Sequence, residues 1–318
     1  MSAKLPADAK GIYVIAATPF LDDGRIDFDS IDRLVDFYLK CGVHGMTVLG
    51  VMGEFQKLSE SETIDVARRF IAAAKGRIPT IVGVSNPGTA QLTKIARTSM
   101  EAGAAGVMVM PIPGLRTDEA VLGYMRGVLK ELGPSVPVCV QDYPLLTGVF
   151  FSAGCFLQMV DEFPQIAMFK HEESPGLRKI STIRRACDGK ARRYMPILCG
   201  NGGIHLPQEY RRGADGGMTG FAFPDMMTRM HALFAAGKAD EAEDLYDLYL
   251  PILRHELQPG IGLALRKEIL RRRGAIASNA VRAPGPKLDT GDLAELDQLL
   301  ARLEKKTGKA VGSVSLFP

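Results

Sequence analysis

The chain has 318 residues, 46% of them hydrophobic, enough for one large core and compatible with a single α/β barrel carrying an appended segment. Its 39 basic and 36 acidic residues leave a formal charge of +3, too near balance for a protein built to bind nucleic acid or an anionic membrane; small anionic ligands stay open. The five cysteines, Cys41, Cys139, Cys155, Cys187 and Cys199, form no CxxC pair and several lie in apolar runs, which fits a reducing cytoplasm. The stretch 1–10 has no apolar signal-peptide core and no apolar span reaches membrane length, so a cytoplasmic protein with no membrane partner is expected.

Short apolar runs recur at 13–17, 46–49, 80–84, 107–110, 136–140, 166–169, 196–199 and 217–221, and read as eight strands. Segments with helical spacing separate them, such as Ile31, Leu34, Val35, Tyr38 and Leu39, then Ile64, Ala67, Phe70 and Ile71. Helix starts are marked by Ser59 with Glu62 as a capping box, by Thr89 ahead of Leu92, Ile95 and Ala96, and by Thr117 ahead of Val121 and Tyr124. Eight alternating units predict a closed (β/α)8 barrel over residues 1–224. An open doubly wound sheet would share the alternation, but no GxGxxG follows the first strand. Beyond Pro224 the strand signal stops. Amphipathic segments at 226–236, 241–253, 261–272 and 293–303 predict a helical extension over residues 225–318. The cluster Arg271-Arg272-Arg273 reads as a solvated helix end, where cations complement the dipole.

In such a barrel the informative residues follow the strands. The run at 166–169 ends in Lys170, followed by the polar turn His171-Glu172-Glu173-Ser174-Pro175-Gly176. Hydrocarbon around a lysine disfavours the ammonium; moving its pKa from ~10.4 to ~7 needs roughly 4.6 kcal/mol, within reach for a buried group. The neutral amine is a nucleophile able to form a Schiff base. The alternative is a lysine that closes the strand and pairs with Glu172, Glu173 or another carboxylate. After the second strand, Gly50-Val51-Met52-Gly53-Glu54 predicts a tight turn whose glycines point successive amides into one concavity fit for a carboxylate. Glu54 reads as a brace for that turn. The turn Gly200-Asn201-Gly202-Gly203 fits either a phosphate cradle or a backbone wall for a ligand held on Lys170. His44, His171, His205, His231 and His255 are dispersed without metal-ligand spacing.

Gly50-x-x-Gly53-Glu54 followed by Leu58-Ser59, with Lys170 ending the sixth strand, resembles the dihydrodipicolinate synthase and N-acetylneuraminate lyase superfamily over residues 11 to about 223. The resemblance implies a lyase or aldolase that binds pyruvate or a related 2-oxo acid as an imine on Lys170, with no metal and no organic cofactor. It implies that Val51, Met52 and Gly53 hold the substrate carboxylate, that Gly50, Glu54 and Thr18 support the turn, and that Gly200, Asn201 and Thr219 line the substrate. A homotetramer built as a dimer of dimers is implied as well.

Several positions depart from the superfamily pattern. Val51 and Met52 replace the usual threonines, so no hydroxyl relay can come from this turn. Gln141 stands where the relay tyrosine is expected, in Gln141-Asp142-Tyr143-Pro144. Tyr143 lies two residues on, and strand parity puts it on the same face, where its hydroxyl replaces the relay and Gln141 bonds substrate. The alternative is a tyrosine that packs at the rim. Pro111-Ile112-Pro113-Gly114 replaces the segment with the cross-subunit tyrosine, and Leu146 replaces an arginine that grips a second carboxylate. Condensation of pyruvate with aspartate semialdehyde is therefore expected to be weak or absent. Phe55, after Glu54, resembles the sugar-acid dehydratase branch. A barrel that binds a phosphorylated ligand and a non-catalytic binder remain as the other readings.

Overall fold

The computed structural model describes residues 3–174 and 176–314; Pro175, within the turn read after the sixth strand, and the ends of the chain lie outside the described residues. Eight parallel strands close on themselves in chain order, β1 (Gly11–Ile15), β2 (Gly45–Val48), β3 (Thr80–Gly83), β4 (Gly106–Val109), β5 (Val138–Asp142), β6 (Ile166–His171), β7 (Ile197–Cys199) and β8 (Gly216–Gly217), with β8 pairing β1. Nearly every strand residue is buried, because side chains on one face fill the barrel and those on the other lie under helices. That double burial is why the strands read as continuous apolar runs. The eighth is an exception: its ladder is Gly216 and Gly217, and a Cβ on Gly216 would lie 1.9 Å from the Gly11 carbonyl oxygen. Only glycine permits the approach that closes the ring. The run at 217–221 continues as irregular chain, held by a bond from the Ile15 amide to the Thr219 carbonyl at 3.0 Å.

The outer helices are α1 (Phe28–Lys40), α2 (Glu60–Ala74), α3 (Thr89–Glu101), α4 (Asp118–Leu132), the short α5 (Pro144–Thr147), α6 (Ala153–Glu162), α7 (Leu177–Ala186), α8 (Leu206–Arg211) and α9 (Pro224–Ala235). Ser59 and Glu62 form the capping box of α2, and the Thr117 hydroxyl accepts from the Ala120 amide. The third expected cap differs: α3 is capped by Gly88 without a side-chain bond, and Thr89 is its first helical residue. Helix α9 packs against β1 as the outer helix of the eighth unit, although it begins the stretch that sequence assigns to the extension. Beyond it come α10 (Ala239–Glu256), α11 (Gly262–Arg272) and α12 (Thr290–Thr307).

The arginine cluster is not a uniformly solvated end. Arg271 and Arg272 fork onto Glu268 within α11, but Arg273 is buried, bonding both oxygens of Asp225 at 3.0 and 2.8 Å and the Ala222 carbonyl at 2.7 Å. Its guanidinium lies against the Phe37 and Phe223 rings. As the residue just past α11, it turns inward against the start of α9, pinning the extension to the barrel.

Candidate active site

Strand parity places the lysine. Phe169 stacks on Phe156 of α6 and His171 meets Asp142 and the α7 side, so both point outward. Lys170, between them, points into the barrel near its C-terminal end, in register with Gln141 and Leu198. Its side chain is 5% exposed, and its Nζ is 3.1 Å from Glu172 Oε2. The surroundings are therefore not hydrocarbon alone, and the pairing with Glu172 weighed from the sequence is present.

Glu172 is the hub of the site. Its Oε2 also accepts from the Gln141 amide, and its Oε1 accepts from the Asn201 backbone N–H at 3.1 Å. The Asn201 side-chain amide donates to the Glu172 carbonyl at 2.6 Å, which commits that N–H group to the protein. Gly200 makes room for the carboxylate, since a Cβ there would lie 2.2 Å from Oε1. The Glu172 amide is fixed in turn by Asp142 Oδ1 at 2.6 Å.

Asp142 points outward into a buried ionic cluster. Lys179 Nζ donates to Asp142 at 2.7 Å, to the Phe151 carbonyl at 2.7 Å and to Glu173 at 2.9 Å, over the Phe151 ring. Burial opposes ionisation of Asp142, yet His171 and Lys179 hold its pKa below the ordinary value. Burial likewise opposes a charge on His171, and the Asp142 carboxylate reverses that and raises its pKa. This cluster lies behind the strand and sets where Glu172 sits.

The turn expected to hold a carboxylate is a 3₁₀ turn, Val51–Gly53. Among the described residues no acceptor receives the amides of Val51 or Met52, whereas those of Gly53 and Glu54 close the turn onto Gly50 and Val51. The glycines do not supply its handedness: the left-handed residues are Leu49 (φ 57°) and Glu54 (φ 54°). A bulky residue in that region costs about 1–2 kcal/mol, so the turn is held by its surroundings. The Thr18 hydroxyl donates to the Gly53 carbonyl at 2.7 Å. Glu54, 1% exposed, accepts from Lys267 of α11 at 2.5 Å, from Lys57 at 2.8 Å and from the Arg282 amide at 3.0 Å. Burial lowers the Lys267 pKa to about 8 against the pull of Glu54. Met52 packs over Gly220, where a Cβ would lie 2.0 Å from its sulfur.

Tyr143, half-buried at the head of α5, has its phenol pKa raised by burial and by the Glu172 carboxylate, with Arg266 pulling the other way; it remains a proton donor at neutral pH. Thr219 is buried with a hydroxyl that has no partner among the described residues. Gln141, Lys170, Glu172, Gly200, Asn201 and Tyr143 thus come together at one side of the mouth. Glu172 was foreseen only as a pairing partner; its place two residues after the lysine, with the glycine opposite, was the signal for more.

Behind the site, Glu209 of α8 is buried with Oε2 unpartnered among the described residues, and burial lifts its pKa from 4.5 to about 7. In the unfolded chain it ionises near 4.5, so its contribution to stability is complete below that pH and is lost as pH rises toward 7. Roughly 3 kcal/mol is at stake. Glu209→Gln should flatten the fall in urea midpoint between pH 5 and pH 8; an unchanged pH profile would count against this assignment.

A closed parallel barrel with a buried lysine at its mouth, beside a carboxylate and a turn with free amides, is the arrangement of lyases that work on carbonyl compounds through their own amine. The chain matches the profile of the dihydrodipicolinate synthetase family over residues 8–303 and belongs to that family. It is a lyase of this family, whose members act through a lysine Schiff base and need no external cofactor. It is 30% identical over 302 residues to L-2-keto-3-deoxyarabonate dehydratase of Azospirillum brasilense, covering 93% of this chain and 94% of that one. It is 31% identical over 198 residues to 4-hydroxy-tetrahydrodipicolinate synthase of Sorangium cellulosum, 62% of this chain and 64% of the other. A crystal structure of dihydrodipicolinate synthase from Rhodopseudomonas palustris superposes with a TM-score of 0.92 at 48% identity, over 95% of this chain and all of that one (100%).

Proposed function

We propose that this chain removes water from a 2-oxo-3-deoxy acid bearing a hydroxyl on C4, through an imine on Lys170. The observation that carries the reading is the Glu172 carboxylate 3.1 Å from the Lys170 nitrogen. The Val51 and Met52 amides receive the substrate carboxylate, and Lys170 adds to C2 and expels water to give the iminium. Glu172 takes a proton from C3 and the electron pair moves to the iminium nitrogen, forming an enamine. The enamine expels the C4 hydroxyl as it receives a proton from Tyr143 or the protonated Glu172. Hydrolysis of the unsaturated imine frees Lys170, and the net change is loss of one water. The imine is the electron sink, so no further organic cofactor is needed.

Dehydration is favoured over condensation with aspartate semialdehyde because Leu146 stands where an arginine would grip the second reactant, and the Azospirillum dehydratase aligns over almost the whole chain. The 48% identity to the Rhodopseudomonas palustris synthase keeps condensation as the second reading. Incubation with pyruvate and borohydride, followed by peptide mass analysis, tests the imine: an adduct on Lys170 is expected, and its absence would overturn the proposal. Turnover of a 2-oxo-3-deoxy sugar acid, set beside turnover of pyruvate with aspartate semialdehyde, then separates the two readings.

The reading places the enzyme in the cytoplasm, in keeping with five free, buried cysteines. It also places it in a homotetramer built as a dimer of dimers. Support comes from the segment after β5, where Leu145 (74% exposed) and Phe150 (62%) stand out with Leu146 as large apolar side chains facing solvent. Leu145→Asp with Phe150→Asp should shift the molar mass by light scattering toward smaller species. An unchanged mass would remove this surface from the assembly.

A further inference from the structure

Arg266 of α11 lies close enough to the Tyr143 phenol to oppose the rise in its pKa that burial and Glu172 cause. Its Nε bonds Glu256 Oε2 at 3.2 Å, and among the described residues neither terminal nitrogen has an acceptor. One terminal nitrogen lies 3.3 Å from where a Cβ on Gly202 would stand, with the Leu257 side chain nearer still at 2.7 Å, so Gly202 lets both side chains pack against the turn after β7. The side chain is 16% exposed, held at the mouth rather than free in solvent.

Its partner does not cancel its charge. Glu256 is 1% exposed, its Oε1 has no partner among the described residues, and burial raises its pKa to about 8 although Arg266 pulls it down. At neutral pH a largely protonated Glu256 leaves a cationic fork over the site. The fork stands beside the turn whose Asn201 amide holds Glu172 Oε1 at 3.1 Å, and Glu172 in turn lies 3.1 Å from the Lys170 nitrogen.

We propose that Arg266 determines specificity by binding a second carboxylate at the far end of the substrate, so that the preferred 2-oxo acids are dicarboxylates. The guanidinium fork matches a carboxylate bidentately. A single cation here balances a single negative charge, which selects a carboxylate over a phosphate dianion. The inference rests on the imine reading above and deepens it.

The test uses the full-length protein and borohydride trapping on Lys170 with two five-carbon probes, 2-oxoglutarate and 2-oxopentanoate, which differ in the terminal carboxylate. Half-saturation for the diacid is expected at a concentration about tenfold or more below that of the monoacid, equivalent to about 1.4 kcal/mol. Arg266→Gln should bring the ratio near one, and Arg266→Lys, which keeps the charge and loses the fork, should fall between. A ratio near one in the native protein, with pyruvate still trapped on Lys170, overturns this inference alone. No pyruvate adduct overturns the imine reading and this one with it. If Arg266→Gln does not fold, the native ratio and the Arg266→Lys ratio decide: a lysine variant that keeps the full preference refutes the fork.

Discussion

Lys170→Ala is expected to abolish the borohydride adduct with pyruvate and to lower turnover by roughly 10⁴-fold or more, because the reaction loses its nucleophile and its electron sink together. No neighbouring amine can take over. Lys179 is buried behind the strand in the grip of Asp142, Glu173 and the Phe151 carbonyl, and Lys267 is held by Glu54 under the turn. The loss should appear in kcat, with substrate binding partly retained by the Val51 and Met52 amides. An adduct of undiminished yield on the alanine variant, mapped to any other residue, would falsify the assignment.

Glu172→Gln should split the reaction in two. A glutamine there retains an acceptor oxygen for the Asn201 amide, so the turn should stand and pyruvate should still be trapped on Lys170. Proton removal from C3 and proton delivery to the leaving hydroxyl lose their carrier, and kcat for dehydration should drop about 10²–10⁴-fold with a smaller change in KM. Kinetics within a few-fold of the native enzyme would remove Glu172 from the chemistry. Loss of the adduct itself would instead make it a positioning residue for the lysine.

The barrel was legible because parallel strands buried on both faces must be apolar throughout, and eight such runs separated by helical stripes leave little choice of architecture. The capping box at Ser59 and Glu62 was legible for a similar reason, since both partners lie within one turn of helix. What escaped was set by distant chain. The two-residue β8 depends on how closely Gly216 meets Gly11, and the burial of Arg273 depends on Asp225, 48 positions away. Lys170 and the turn at 50–54 could be read as candidates from their places after strands. The convergence of Gln141, Gly200 and Asn201 on Glu172 could not, because it joins the ends of three strands that meet only when β5, β6 and β7 pair side by side. The tight fold of the turn at 50–54 was ascribed to its glycines, whereas the residues with positive φ are Leu49 and Glu54.

The clamp on Glu54 makes the chain a poor subject for modular exchange. Its oxygens are held by Lys267 and by the Arg282 amide, both contributed from the far side of residue 224. A chimera that joined this barrel to the C-terminal helices of a relative lacking a cation at 267 would leave a buried carboxylate, beneath the amides expected to receive substrate, with Lys57 as its remaining cation, at a cost of several kcal/mol. Recombination among relatives should therefore preserve Glu54 and Lys267 as a linked pair, and the helical tail should be inherited along with the pocket it supports.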